Sequence, residues 1–398
     1  MKKHKSLNLI IVILLISILS LLFISCTQDF STQRTYQPPE DIGDDLGVGT
    51  LEEVNIDQIL IERAINDIDR GKYGEVHSML IYKDGKLVVE EYFDGFKYKW
   101  DGDNYNGDWV IWTRSTGHVI QSVTKSITST CIGIAVDNGF IESVDQSIFD
   151  YLPEYQHLNT DGKDKITIEH LLTMTSGLQW DEWGAPNNSV DNDAIGLWFY
   201  EKGPINFVLE RPLVYEPGTN FTYNGGGMDV LGEILKNATK MNIDEFSEKY
   251  LFEPLGIDSF DWYNRFENGM IDAASGLKIT PRDMVKIGVT FLNNGAWNGK
   301  QIISEQWVKK SATTYPGNTG IKLPGEDSGR VGYSYSWWTK QISNSGKDIN
   351  IFWAGGWGGQ RIMVFPELNS VIVFTGGNWT SKVQTFKILE KYIIPAID

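Results

Sequence analysis

Apolar residues recur at Ile61, Ala64, Ile65 and Ile68, the spacing of one helical face, with Asn55 or Asp57 placed to cap a helix. Two apolar, β-branched runs follow, His77–Lys83 and Lys86–Phe93, separated by Asp84-Gly85. That dipeptide accepts the positive φ of a tight turn, so the pattern predicts a β-hairpin. Between about 120 and 290 the periodicity is mostly helical, punctuated by Gly and Pro. Ile168–Met174 is one such helix, with Thr167 as its cap and Gly177 just past its end. Strand patterns return at Tyr333–Trp338, Ile351–Ala354, Arg361–Phe365 and Ser370–Thr375, and a helical pattern from Lys382 to Ile393 closes the chain. Strands at both ends with helices between predict an α+β fold. Its antiparallel sheet would be built from both termini and flanked by helices, with an inserted helical subdomain at roughly 145–290.

The first 54 residues follow another pattern. Lys2, Lys3 and Lys5 precede an apolar run from Leu7 to Phe23, then Ile24-Ser25-Cys26. A basic segment before a long apolar one is expected to be an export signal. The run approaches the roughly 18 residues that span a bilayer, so an uncleaved anchor is the alternative. A small residue followed by Cys26 resembles the bacterial lipobox, in which the cysteine is lipidated and becomes the mature N-terminus, although Phe23 departs from the usual leucine. The expectation is a lipoprotein signal peptide over 1–25, Cys26 as the lipidation site, and a domain outside the cytoplasm, tethered to a membrane in a bacterial cell envelope. Residues 26–54 are acidic, with Pro38-Pro39, scattered glycines and no apolar periodicity. They read as a flexible spacer before a folded domain at 55–398.

Composition narrows the chemistry. The chain has 398 residues, with 41% hydrophobic and 12% aromatic, enough for a large core and against disorder as its main state. Lys+Arg of 35 against Asp+Glu of 52 gives a net charge of −17, the wrong sign for tracking nucleic-acid phosphates. Two cysteines exclude a disulfide framework, and five histidines without ligand spacing give no reason to expect a metal.

Gln121-Ser122-Val123-Thr124-Lys125-Ser126 opens a helix whose apolar face runs through Val123, Ile127, Cys131 and Ile134. Ser122 and Lys125 are three apart and share a face. A serine hydroxyl attacks well only when a base takes its proton, and a lysine serves as base only where burial or a nearby cation favours its neutral form. The helix N-terminus adds a positive field and the Ser122 N–H for a developing oxyanion. The spacing alone is equally that of a capping serine and a surface lysine. Cys131 on the apolar face reads as core, and His118 as structural.

The run from His118 to Ile134, then Thr167–Leu178, Pro217–Tyr223 and Ala274–Pro281, resembles in order the serine β-lactamase-related family. That family includes class C β-lactamases, penicillin-binding proteins, D-amino-acid peptidases, family VIII esterases and 6-aminohexanoate-dimer hydrolases. Gly356–Gln360 followed by Phe365-Pro366-Glu367 is most similar to the last branch. The resemblance implies a β-lactamase/transpeptidase-like fold with Ser122 as nucleophile and Lys125 and Tyr223 as the proton-handling pair. It implies an oxyanion hole from the backbone N–H of Ser122 and Trp357, and no metal or organic cofactor. Two elements depart from it. The motif Tyr-x-Asn stands here as Tyr223-Asn224-Gly225, so its asparagine is missing. The Lys-Thr-Gly or His-x-Gly element stands as Ala354-Gly355-Gly356, without a cation, and Arg361 is off register.

Those losses favour a small-molecule or peptide-like ester or amide over a β-lactam. A β-lactamase or D-amino-acid peptidase is the alternative, and a non-hydrolysing envelope binding lipoprotein is the alternative from another class. Asp101–Asp108 reads as a solvated loop. Trp180, Trp183, Trp198 and Trp262 are candidates for a cleft wall, with packing inside the helical part as the other reading.

Overall fold

The computed structural model describes residues 33–344 and 346–397. The expected signal segment 1–25 and Cys26 lie outside the described residues. Tyr36 onward forms one compact unit. No helix among the described residues is long and apolar enough to cross a membrane.

The Asp84-Gly85 hairpin forms as expected, from β1 (Val76–Lys83) and β2 (Lys86–Tyr92). A second hairpin pairs β3 (Gly95–Tyr98) with β4 (Asn106–Val110). β5 (His118–Val119), β6 (Phe260–Trp262) and β7 (Leu277–Ile279) make a small sheet in the order β5-β7-β6. β8 (Ala296–Trp297) and β9 (Lys300–Gln301) are a minor hairpin. The last six strands are β10 (Ile321–Lys322), β11 (Arg330–Ser334), β12 (Trp337–Asn344), β13 (Lys347–Gly356), β14 (Gln360–Phe365) and β15 (Ser370–Gly376). With β1 and β2 they form an eight-stranded antiparallel sheet, ordered β10-β11-β12-β13-β14-β15-β1-β2. The sheet is thus assembled from both ends of the chain.

Both faces of this sheet are covered, which is why β14 and β15 are buried along their whole length instead of alternating. The chain's α1 (Gln58–Asp69), capped by the Asp57 carboxylate, packs with the C-terminal helical segment. Neighbouring residues on β13 point to opposite layers: Trp353 meets Phe386 of that segment, and Phe352 meets Phe291 on the far side. Between the two sequence ends run α2 (Val123–Asp137), α3 (Gly226–Thr239) and α4 (Pro281–Leu292). α2 packs on α3, whereas α4, at the end of the stretch expected as a helical subdomain, lies on β14 and β15.

Four expectations are corrected. The spacer is not flexible throughout, because from Tyr36 it folds onto the domain. Gly49 N–H donates to Leu87 O and Leu87 N–H to Gly47 O, so 47–49 covers the exposed edge of β2. Tyr36, Leu46, Leu51 and Val54 are buried. Too few apolar residues stand in this stretch to show a period, and the partner that orders it is remote in sequence. A chain shortened to begin at 55 is therefore expected to lose several kcal/mol, at about 1.5–3 kcal/mol per buried large side chain. Urea unfolding against the chain beginning at 33 checks this, and equal midpoints would show that the segment contributes nothing.

Tyr333–Trp338 is two strands joined by a turn, since Tyr335 and Ser336 both have positive φ, 47° and 66°. A Tyr-Ser pair carries none of the usual signal for that turn. Asp101–Asp108 is part of the β3–β4 hairpin, and the alternation Phe96, Tyr98, Trp100 was its overlooked period-two signal. The helix capped by Thr167 also stops early, at Leu172, because Met174 adopts φ 58°.

Candidate active site

α2 is buried from Val123 to Ala135, although it carries many hydroxyls. Those hydroxyls donate to backbone carbonyls of the surrounding layers: Ser126 to Ser336 O at 2.6 Å, Ser129 to Tyr335 O at 2.7 Å, and Thr128 to Ala273 O at 2.7 Å. Each buried polar group is satisfied, so the helix is held laterally and cannot rotate cheaply. Cys131 is buried in it, as expected, and burial pushes its thiol up. Gln121, just before the helix, adopts φ 49°, a strained conformation for a non-glycine residue. That turn presents Ser122 at the N-terminus of α2.

Lys125 Nζ donates to Ser122 Oγ at 2.9 Å and to Ala274 O at 3.1 Å. The lysine is 2% exposed, so its position is set by these two oxygens and by the ring of Tyr223, whose centroid lies 5.1 Å away. Ala274 is itself fixed by Asp272, whose Oδ1 accepts the N–H groups of Ala274 at 2.7 Å and Ser275 at 3.0 Å. Tyr223 is sandwiched between Trp183, 5.0 Å between centroids, and Trp338, 5.8 Å. Burial raises its phenol well above the ordinary value; the charge of Glu182 adds to this, and contact with Ser122 opposes it. The three residues singled out from the motifs are therefore brought together.

They open into one cleft of about 910 Å3, lined also by Trp357 and by Gly355-Gly356 at the end of β13. A Cβ on Gly356 would lie 2.3 Å from Ile120 O, so only glycine lets β13 reach the backbone leading to Ser122. This puts the Trp357 and Ser122 backbones on the same wall of the cleft. The Trp357 indole donates to Trp379 O at 3.0 Å and packs edge-on against Tyr105, making it wall. Of the four candidate tryptophans, Trp183 and Trp198 line the cleft. Trp180 instead donates to Glu182 at 3.0 Å and Trp262 to Ser247 at 3.1 Å, so both are packing residues. Tyr98 and Trp100 of the β3–β4 hairpin also line the cleft, with Tyr98 packed edge-on against Trp357.

Glu182 was not singled out by any motif. Its Oε2 accepts the Gly225 N–H at 2.7 Å, and a Cβ at 225 would lie 3.0 Å from the same oxygen. The carboxylate thus occupies the space into which a side chain at the missing-asparagine position would project. Glu182, Asp229, Asp272 and Glu326 all line the cleft, and Lys125 is the one Lys or Arg among the described lining residues. Asp229 is buried and its carboxyl is pushed well above the ordinary range, by burial first and by Asp272 next; it accepts the Ala273 N–H at 2.9 Å. Arg361, off register in the motif, is fully buried behind β13, where it donates to Gly356 O at 3.0 Å and meets Glu326 at 2.7 Å.

The family profile described as Beta-lactamase matches residues 74–382. The 6-aminohexanoate-dimer hydrolase of Paenarthrobacter ureafaciens is 26% identical over 269 residues, 64% of this chain and 65% of that protein. A Salmonella agona protein provisionally named a D-alanyl-D-alanine carboxypeptidase is 28% identical over 197 residues, 48% of this chain and 44% of its own. The matched stretch thus spans about half to two thirds of these curated relatives. Among solved structures, a protein from Bacillus anthracis provisionally named a 6-aminohexanoate-dimer hydrolase superposes with TM-score 0.64 at 21% identity, covering 92% of this chain and 88% of the other, a likeness of fold. With the α+β sheet, the Ser-x-x-Lys helix and a profile match over most of its length, this chain belongs to the beta-lactamase family.

Proposed function

We propose that this protein hydrolyses a carboxylic ester or an amide through an acyl-enzyme on Ser122. The observation that carries the reading is the 2.9 Å contact between Lys125 Nζ and Ser122 Oγ at the base of an aromatic cleft, beside Tyr223. Ser122 Oγ attacks the carbonyl carbon while the Lys125–Tyr223 pair takes its proton and passes it to the departing alcohol or amine. Backbone N–H groups of Ser122 and Trp357 hold the oxyanion. Water, deprotonated by the same pair, then attacks the acyl carbon and releases the acid. A fluorophosphonate probe tests the nucleophile. Labelling of the wild type at Ser122, with turnover of a p-nitrophenyl ester or a linear amide oligomer, is the expected result. A folded protein that neither labels nor turns over would leave a binding protein.

The acidic lining supports a substrate without an anionic group beside the scissile bond, which places nitrocefin last in such a panel. Replacing Glu182 by Gln keeps an acceptor for Gly225 and removes the charge. The kcat/KM ratio of an anionic to a neutral ester is expected to rise about tenfold, or ~1.4 kcal/mol. An unchanged ratio would show that Glu182 plays no part in selection.

The N-terminal pattern supports the further proposal that the domain is carried outside the cytoplasm on a lipidated Cys26. Metabolic labelling with an alkynyl fatty acid, compared with Cys26→Ala, tests it.

A further inference from the structure

Three side chains outside the catalytic group form a chain that leads to the backbone just before Ser122. His118 Nδ1, on β5, lies 3.0 Å from Val119 O. Its Nε2 lies 2.7 Å from Nδ1 of His77 on β1, and His77 Nε2 lies 2.8 Å from Glu75 Oε1. Both imidazoles are buried, and both stack on the Trp112 indole. Glu75 Oε1 also accepts the Phe96 N–H at 2.6 Å.

The chain ends on a carbonyl oxygen at one side and a carboxylate oxygen at the other, and both can only accept. Three contacts of hydrogen-bond length therefore need three protons, and two neutral imidazoles bring two. With two protons, one pair of lone pairs faces another at close range, and the half-buried Glu75 carboxylate keeps an uncompensated charge against the buried His77. With three, every contact is a hydrogen bond and the cluster is electrically neutral. We propose that Glu75, His77 and His118 share a third proton at neutral pH, and that this filled relay positions Ser122 against the end of β13.

The charges facing the relay are Glu75 itself and Lys278 of β7. Burial lowers both imidazoles; Glu75 opposes this at His77, and Lys278 adds to it at His118. The extra proton therefore sits at the Glu75–His77 end. His118 pairs with Ile279 and Val119 with Lys278, and Ile120 O is the atom against which Gly356 closes. The relay thereby connects β1, next to the edge strand β2, to the backbone on which Ser122 stands. Through Phe96 the same carboxylate tethers the β3–β4 hairpin that walls the cleft.

Nitrogen-15 spectra of the imidazole rings, assigned with His77→Gln and His118→Gln, test the proton directly. In the wild type at about pH 7.5, where an ordinary imidazole is neutral, His77 is expected doubly protonated or sharing its Nε2 proton with Glu75. His118 is expected neutral with its proton on Nδ1. In Glu75→Gln the His77 signature should vanish. The positioning role rests on Ser122 being the nucleophile, and phosphonate labelling reads it: Glu75→Gln should label roughly tenfold more slowly than the wild type. Two singly protonated rings in the wild type, or an undiminished labelling rate in a folded Glu75→Gln, would overturn the proposal. If Glu75→Gln does not fold, the wild-type spectrum alone decides. A wild type that shows the signature and never labels counts against the hydrolase reading and leaves the shared proton standing.

Discussion

Lys125→Ala is expected to lower kcat/KM for a neutral p-nitrophenyl ester by about 10^4-fold, and Ser122→Ala by the same order. Ser122 Oγ has one basic nitrogen in contact, the Lys125 Nζ at 2.9 Å, so removing it leaves the hydroxyl proton without a direct acceptor. Tyr223 cannot replace it, because burial and Glu182 hold its phenol protonated in the free protein. The two losses should not add: a group that supplies the nucleophile and a group that activates it fail as one unit, and the double variant should match either single one. Lys125→Arg separates proton transfer from charge. A guanidinium brings a positive charge to the same place and does not give up its proton, so Arg should fail as completely as Ala. Because Lys125 is buried, each variant needs a thermal melt beside the kinetics. Activity of a folded Lys125→Ala within tenfold of the wild type would remove the lysine from the mechanism.

Arg361→Leu is expected to cost about 3–5 kcal/mol of stability at neutral pH, since it strands a buried carboxylate. Arg361 is fully buried, and Glu326, 11% exposed in its side chain, meets it at 2.7 Å in an ion contact that is off hydrogen-bond alignment. The guanidinium also donates to Gly356 O at 3.0 Å and Gln360 O at 2.8 Å, pinning the turn that carries Trp357. Burial already holds the Glu326 carboxyl above the ordinary range, and Arg361 opposes that rise. Without the arginine the folded carboxyl climbs further above its unfolded value. A raised carboxyl favours the folded state below the unfolded value and loses that contribution as pH rises. The penalty of Arg361→Leu should therefore be smaller near pH 4, close to the ordinary carboxylate range, than near pH 7. Urea unfolding at both values checks the sign. Adding Glu326→Leu should recover much of the loss at neutral pH, and no recovery would assign the cost to the turn contacts alone.

Local chemistry made much of the fold legible. Asp84-Gly85 announces its hairpin because only a few residue pairs accept that turn. Asp57 and Thr167 cap helices because their side chains satisfy N–H groups that the helix leaves unpaired. The buried strands β14 and β15 are visible as continuous apolar runs, since a strand covered on both faces has no polar side to show. Ser122, Lys125 and Tyr223 were legible for another reason: the run around each keeps a motif order that packing by itself does not require.

The remainder depended on contacts between distant residues. Nothing near Tyr36 or Leu46 indicates that β2 presents an uncovered edge for 47–49 to close. Glu182 lies 43 residues from Gly225, and no local pattern shows a carboxylate entering the space a glycine leaves. His77 and His118 are 41 apart, and a count of their protons has meaning only once their nitrogens face each other. By itself the sequence determined most of the helices, the hairpin and the two-ended sheet, and it singled out Ser122, Lys125 and Tyr223 as candidates, all from propensity, period and motif within short windows. Only the tertiary structure decided the charge of the cleft, the placement of Arg361 behind β13 and the relay beside Ser122, because burial and electrostatics are properties of a neighbourhood in space and not of a window in the chain.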